Sequence, residues 1–220
     1  MNFFNIDNPF FQVIWKIMNM ILLSALWLIC CIPIFTIGAS TSALYYAVQK
    51  NIKNDLGNTA QQFFRGFRES FKQSTLIWLV MFVLCMLFSF DLTFFTNYGQ
   101  DGHPLMYPLR YMFYVVLFIE AVYFLYIFPY IARFKNNTKN VLYNCTLLII
   151  RHPLRLLACL FFLACTIFMI WFLPFLIFFA PAVFFWQMSF LMEKTYALYM
   201  SEEDKEFERR RNTPGDPDED

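Results

Sequence analysis

The long uncharged runs are the feature that most constrains this chain. No Asp, Glu, Lys or Arg occurs between Lys16 and Lys50, and none occurs in the 37 residues from 156 to 192. Two further apolar stretches, residues 76–95 and 108–131, contain one acid each. A helix needs about 20 apolar residues to cross a hydrocarbon core of roughly 30 Å. The sequence therefore predicts an all-α protein, a polytopic bundle of transmembrane helices.

The lengths of these runs predict the number of crossings. As a single helix, the last uncharged run would extend about 55 Å, far more than one bilayer core. Pro174 lies near its middle, which favours two helices joined by a tight turn. We therefore expect five crossings, at about 13–37, 75–95, 108–131, 153–172 and 173–192. Residues 201–220, which contain nine acids and four bases, are predicted to form a disordered cytoplasmic tail.

The distribution of Lys and Arg predicts the orientation. With five crossings, the segments that follow crossings one, three and five lie on the same side of the membrane. These segments contain 15 of the 17 basic residues, and only Lys16 and Arg110 fall on the opposite side. Because cytoplasmic segments carry the excess of basic residues, we expect the N-terminus outside and the C-terminus in the cytoplasm.

Two amphipathic interfacial helices are predicted on the cytoplasmic side, over about 59–73 and 138–152. Phenylalanines recur at helical spacing in the first helix, with basic residues between them. Such a helix either anchors in the membrane interface or docks a partner protein. The candidate docking residues are Phe63, Phe64, Phe67, Phe71, Arg65 and Arg68.

Few polar residues are expected inside the membrane. Glu120 lies about 12 residues, or roughly 18 Å, into the third crossing. A charge at that depth is costly, so Glu120 is expected to face the bundle interior, either as a proton-titrating or substrate-contacting group or as neutral interhelical glue. Asn19 is a candidate partner for it. Asp91 and Arg110 are expected at similar depth on neighbouring helices, where they would form a structural ion pair.

The sequence contains no pattern that indicates catalysis or a cofactor. The six cysteines include no CxxC pair, and His103 and His152 are predicted on opposite sides of the membrane, so no metal site is expected. No phosphate-binding loop, nucleophile elbow or zinc-protease motif occurs. A net charge of +1 gives no electrostatic case for binding nucleic acid. We therefore expect a protein that is not an enzyme.

Three sequence segments resemble a known family. They are NPF at residues 8–10, PIFTIGA at residues 33–39 and FFRGFRESFKQ at residues 63–73. Together they are similar to the YesL-like family of bacterial membrane proteins, over residues 8 to about 199. Members of that family have no settled biochemical activity and are often encoded beside carbohydrate ABC transporters. The resemblance therefore implies a bacterial cell-membrane protein with a role linked to sugar uptake, and it supplies no catalytic residues.

Three functions follow as hypotheses. The first is an accessory or partner of a carbohydrate ABC transporter, which the cytoplasmic amphipathic helices would dock. The second is a self-contained secondary transporter or channel that uses Glu120 as its coupling group. The third is a membrane signalling or assembly factor.

Overall fold

The computed structural model describes residues 9–53, 58–100, 107–134 and 136–200, together with residues 202, 205 and 206. Within these ranges the chain is helical and has no strand, which confirms the predicted all-α class. The predicted disordered tail lies almost entirely outside the described residues. The seven α-helices are α1 Pro9–Cys30, α2 Ile37–Ala47, α3 Thr59–Gln100, α4 Tyr107–Arg133, α5 Thr138–Arg151, α6 Pro153–Phe172 and α7 Ala180–Tyr199.

The helix that contains most of the predicted first crossing, residues 13–37, ends before residue 37. Helix α1 ends at Cys30, and the Thr36 hydroxyl lies 2.6 Å from the carbonyl oxygens of both Cys30 and Pro33. This contact satisfies one of the carbonyls that every helix leaves open at its C-terminus. The chain therefore turns back at Pro33 and continues into α2.

Helix α2 is buried along its whole length because its neighbours approach from several sides. Residues 38–47 are all buried, against α1, α3, α4 and α7. Helices α2 and α3 run antiparallel, since the Ser42 hydroxyl meets the Ser74 hydroxyl at 2.9 Å and Asn51 bonds to Thr59. Small residues at this interface let the two backbones come close together.

Helix α3 is a single helix of 42 residues, roughly 63 Å long. The predicted interfacial helix at 59–73 is therefore not a separate element but the first part of α3. Its continuation after residue 74 includes residues 75–95, for which the second crossing is predicted. No Pro or Gly interrupts the chain between the two parts, so nothing in the sequence breaks the helix there.

Four helices among the described residues are long and apolar enough to cross a membrane. They are Gln12–Cys30, Thr59–Asn97, Pro108–Arg133 and Pro153–Phe172. The predicted fifth crossing is divided into a short 3-10 helix, Pro174–Phe178, and α7, and α7 is not among the four. The fifth crossing stays a prediction.

Helix α7 contacts α1 near its beginning, α2 near its middle and α4 near its end. Near its beginning, the Ala182 amide donates to the Ser24 hydroxyl of α1 at 3.1 Å. Near its end, Glu193 pairs with Arg133 of α4 at 3.0 Å. Between these points α7 passes over α2, where the rings of Phe185 and Tyr45 lie 6.2 Å apart. These contacts bring the polar end of α7 into the core.

Candidate functional site

Glu120 lies in α4 with its carboxylate group enclosed. Both carboxylate oxygens are shielded from solvent and make no hydrogen bond to the residues that the structure describes. Phe124, one turn later, packs against Trp78 of α3 with ring centroids 5.5 Å apart. Tyr123, the nearest hydroxyl in sequence, is instead hydrogen-bonded to Thr146 of α5 at 2.7 Å. Glu120 is thus a half-buried residue of an apolar helix whose carboxylate oxygens are shielded, and an ionisable group in such a helix is a candidate functional group.

Asn19 does not pair with Glu120. Its side-chain oxygen accepts a hydrogen bond from the Thr59 hydroxyl at 2.7 Å, at the beginning of α3. Trp78 of α3 packs on Phe124, which lies one turn after Glu120. Along α3, Trp78 is 19 residues, or roughly 28 Å, away from Thr59. This corrects the sequence interpretation, because the hydrogen bond of Asn19 links α1 to the beginning of α3, far from the part of α3 that packs near Glu120.

Asp91 and Arg110 do not form the expected ion pair. The Arg110 guanidinium donates to the hydroxyl of neighbouring Tyr111 at 3.0 Å and lies over its ring. Phe113 stacks on Phe95 at 5.4 Å between ring centroids. An aromatic ring of α4, not the guanidinium, therefore packs on α3 next to Asp91.

Only part of the phenylalanine stripe on α3 is available to a partner. The Phe63 ring is completely buried, and Phe67 and Phe71 pack beside it in succession. Phe64 points outward and is 52% exposed. Since a partner cannot contact Phe63 without opening the core, the main role of that ring is to hold α3 on the bundle.

The basic residues in the first part of α3 lie in different environments. Arg65 forms an ion pair with Glu69 at 3.1 Å, one turn later on the same helix. Arg68 and Lys72 are exposed. The outward face of this part of α3 is therefore formed by Phe64, Arg68, Glu69 and Lys72, and we call these four residues the α3 outer face.

A second polar group, which the sequence did not indicate, lies in the core between α2, α4, α6 and α7. We call it the tyrosine–arginine cluster, and its members are Tyr45, Tyr126, Arg133, Arg155, Glu193 and Tyr196. Glu193 pairs with Arg133 at 3.0 Å and accepts a hydrogen bond from the Tyr45 hydroxyl at 3.4 Å. Burial raises the pKa of Tyr45 and that of Tyr196 well above the usual value for a phenol. Both hydroxyls therefore stay protonated and remain hydrogen-bond donors.

The other members adjoin this ion pair. Tyr196 is fully buried, lies close enough to Tyr45, Tyr126 and Glu193 to interact with them electrostatically, and packs its ring on Phe134 at 5.4 Å. Tyr126 is similarly close to Arg155. No local pattern identifies this cluster, because its members are distant in sequence and each one alone looks like an ordinary interfacial residue.

The described part of the chain contains no group of three or more His, Cys, Asp or Glu side chains that could hold a metal ion. The described residues thus contain three polar features. They are the enclosed Glu120, the α3 outer face and the tyrosine–arginine cluster.

Comparison with known proteins identifies one family. The model of the DUF624 family, described as a protein of unknown function, matches residues 20–92. This match covers the second half of α1, all of α2 and most of α3, and so includes the α2–α3 interface. No curated protein and no solved structure matches the chain. The chain is thus similar over about a third of its length to an uncharacterised family.

Proposed function

We propose that this protein is a non-catalytic, multi-pass protein of the bacterial cell membrane that serves as an accessory or partner of a carbohydrate ABC transporter. The proposal includes the YesL-like likeness of residues 8–10, 33–39 and 63–73, and the orientation with the C-terminus in the cytoplasm. One observation carries the docking part of the proposal, namely the exposure of the α3 outer face. The helix that bears it is firmly attached to the core.

The attachment of α3 explains why this face suits a partner. Phe63 and Ser70 are buried on the inner side of the helix, while Phe64 and Arg68 point away from it. Gln73 also donates to the carbonyl oxygen of Asn136 at 2.8 Å, which ties α3 to the beginning of α5. A rigid surface loses little conformational entropy on binding. An exposed aromatic ring between charged side chains is typical of an interface that combines an apolar anchor with a polar rim.

The test is co-purification of the tagged full-length protein in mild detergent from its native cell, followed by mass spectrometry. We expect stoichiometric ABC transporter subunits with the wild type and their loss with Arg68→Glu combined with Phe64→Ser. Lys194→Glu is the matched control, since it reverses an exposed charge on α7 and is expected to keep the partner. Recovery of a folded protein with no transporter subunit would refute the accessory role. Recovery of a signalling or assembly complex instead would favour the third hypothesis.

Glu120 favours a second candidate function, that of a self-contained secondary transporter or channel. Its carboxylate oxygens are shielded from solvent and have no hydrogen-bond partner among the described residues, and an ionisable group within a membrane helix is a candidate for proton transfer. In reconstituted vesicles that contain a pH-sensitive dye, this function predicts a proton flux down an imposed pH gradient. Glu120→Gln should abolish that flux, and Asp91→Asn should leave it unchanged. Equal flux in wild type and Glu120→Gln would exclude Glu120 as the coupling group.

A further inference from the structure

The tyrosine–arginine cluster contains more hydrogen-bond donors than acceptors. The Tyr196 hydroxyl and one terminal nitrogen of Arg155 are shielded from solvent and have no acceptor among the described residues. The Tyr126 hydroxyl has only the thiol of Cys159, a weak acceptor, beside it. Glu193 supplies the carboxylate of the cluster, and it already interacts with Arg133 and Tyr45. Buried donors in folded proteins almost always have a partner. This cluster therefore lacks acceptor atoms.

The net charge of the cluster is positive, which favours a negatively charged acceptor. Arg133 and Glu193 neutralise each other at 3.0 Å, which leaves the positive charge of Arg155. An uncompensated charge near the protein interior is costly unless a counter-charge accompanies it. The missing acceptor is thus expected to be an anion.

The arrangement of the donors favours a tetrahedral anion. The three donors belong to three different helices: Tyr126 to α4, Arg155 to α6 and Tyr196 to α7. A carboxylate presents its lone pairs in one plane, whereas a phosphate group presents oxygens in several directions. Arginine is also the side chain best matched to phosphate because its guanidinium donates two hydrogen bonds in parallel.

The position of the cluster gives a phosphate group a route to it. Arg133 is the last residue of α4, and Arg155 is the third residue of α6, so both lie at the same end of the bundle, joined through α5. The ends of transmembrane helices lie at the level of lipid headgroups. Basic pockets between helices at this level bind anionic lipid headgroups in other membrane proteins.

We propose that the tyrosine–arginine cluster is a binding site for a phosphate group, held by Tyr126, Arg155 and Tyr196. Two sources share this chemistry: the headgroup of an anionic phospholipid and free inorganic phosphate. The site is independent of the α3 outer face and of Glu120, so it stands whether or not the protein has an ABC transporter partner.

The experiment measures thermal unfolding of the full chain, purified in detergent and depleted of lipid, by intrinsic tryptophan fluorescence. The two probes are inorganic phosphate, compared with chloride at equal ionic strength, and phosphatidylglycerol, compared with phosphatidylcholine. We expect one probe to raise the unfolding midpoint by about 5–10 °C at hundredfold excess over its Kd. A rise with phosphate alone identifies the free anion as ligand, and a rise with phosphatidylglycerol identifies the lipid headgroup.

Conservative variants distinguish a phosphate-binding site from a group of buried side chains that binds no ligand. Tyr196→Phe and Arg155→Gln should each weaken the binding of the active probe about tenfold or more, because each removes a hydrogen bond to a charged group. Tyr199→Phe and Arg151→Gln are the matched controls. Both residues are exposed, at the ends of α7 and α5, and these variants should keep the full response to the probe.

Two results would overturn the proposal. One is that neither probe raises the midpoint of the wild type. The other is that Tyr196→Phe raises the midpoint without any probe and leaves the response to the probes unchanged. That outcome would mean that the hydroxyl is a buried polar group with no ligand, whose removal simply relieves an unfavourable burial.

Discussion

Replacing Gly38 with alanine tests the packing of α2 against its neighbours. A Cβ atom at Gly38 would lie 2.7 Å from the carbonyl oxygen of Ser74, 2.7 Å from Cβ of Trp78 and 2.7 Å from the ring of Phe128. Each distance is about 0.7 Å short of ordinary van der Waals contact. None of the three atoms is the end of a flexible side chain. The added methyl group can therefore be accommodated only if α3 and α4 move away from α2.

The expected cost follows from two opposing effects. Overpacking a well-packed core costs about 1–3 kcal/mol, and three simultaneous contacts place Gly38→Ala at the upper end of that range. Alanine in a helix is better than glycine by about 1 kcal/mol. The net loss in the free energy of unfolding is therefore expected to be about 2 kcal/mol.

Gly66→Ala is the matched control on α3. Its Cβ atom would lie 2.6 Å from a ring carbon of Tyr46 and 3.1 Å from two further atoms of the same side chain. All three atoms belong to Tyr46 and none to the backbone of another helix. A shift of that one residue can relieve part of the clash, so the net loss is expected to be smaller than for Gly38→Ala, about 1 kcal/mol. The assay is reversible unfolding by sodium dodecyl sulfate in mixed micelles. A Gly38→Ala protein as stable as wild type, or less affected than Gly66→Ala, would refute this description of the interface.

Three further outcomes are expected. Arg133→Met should destabilise the protein by about 3–5 kcal/mol because it leaves Glu193 charged and buried, and adding Glu193→Leu should restore much of that loss; equal stability of the two variants in the same unfolding assay would contradict the ion pair at 3.0 Å. Ser42→Ala and Ser74→Ala should each cost about 1–3 kcal/mol, whereas the double variant should cost less than their sum, since their hydroxyls bond to each other at 2.9 Å; additive effects in the double-mutant cycle would show that the pair does not interact. Lys139→Cys in a cysteine-free background should react with a membrane-impermeant maleimide only after the cells are opened, and labelling of intact cells would reverse the predicted orientation.

The sequence predicted the class of the fold and several helices well because these depend on local patterns. The uncharged run of residues 156–192, broken by Pro174, predicted α6 together with the break before α7. The amphipathic spacing of residues 138–152 predicted α5, whose Val141, Cys145 and Leu148 are buried. A repeat of 3.6 residues is a property of consecutive side chains, so it can be recognised before any packing is known.

The candidate site was predicted less completely because each of its polar residues depends on a partner that is distant in sequence. Glu120 was identified by its expected depth alone, and the structure adds that its two carboxylate oxygens are shielded from solvent. Asn19 and Arg110 were given the wrong partners, since the register of α1 on α3 and the aromatic packing of Phe113 do not follow from local spacing. The exposure of Phe64 beside the buried Phe63 could not be distinguished either, because both residues belong to the same apolar stripe.

What the sequence determined by itself is that this chain forms helices suited to a membrane, since the free energy of transfer into lipid is a sum over residues and is readable one segment at a time. What only the tertiary structure decided is which polar groups meet. Tyr45, Arg133 and Glu193 come from α2, α4 and α7, and they converge because α7 passes over α2 and ends against α4. Hydrogen bonds and ion pairs act over a few ångströms, so they depend on the three-dimensional crossing of helices and not on the order of residues along the chain.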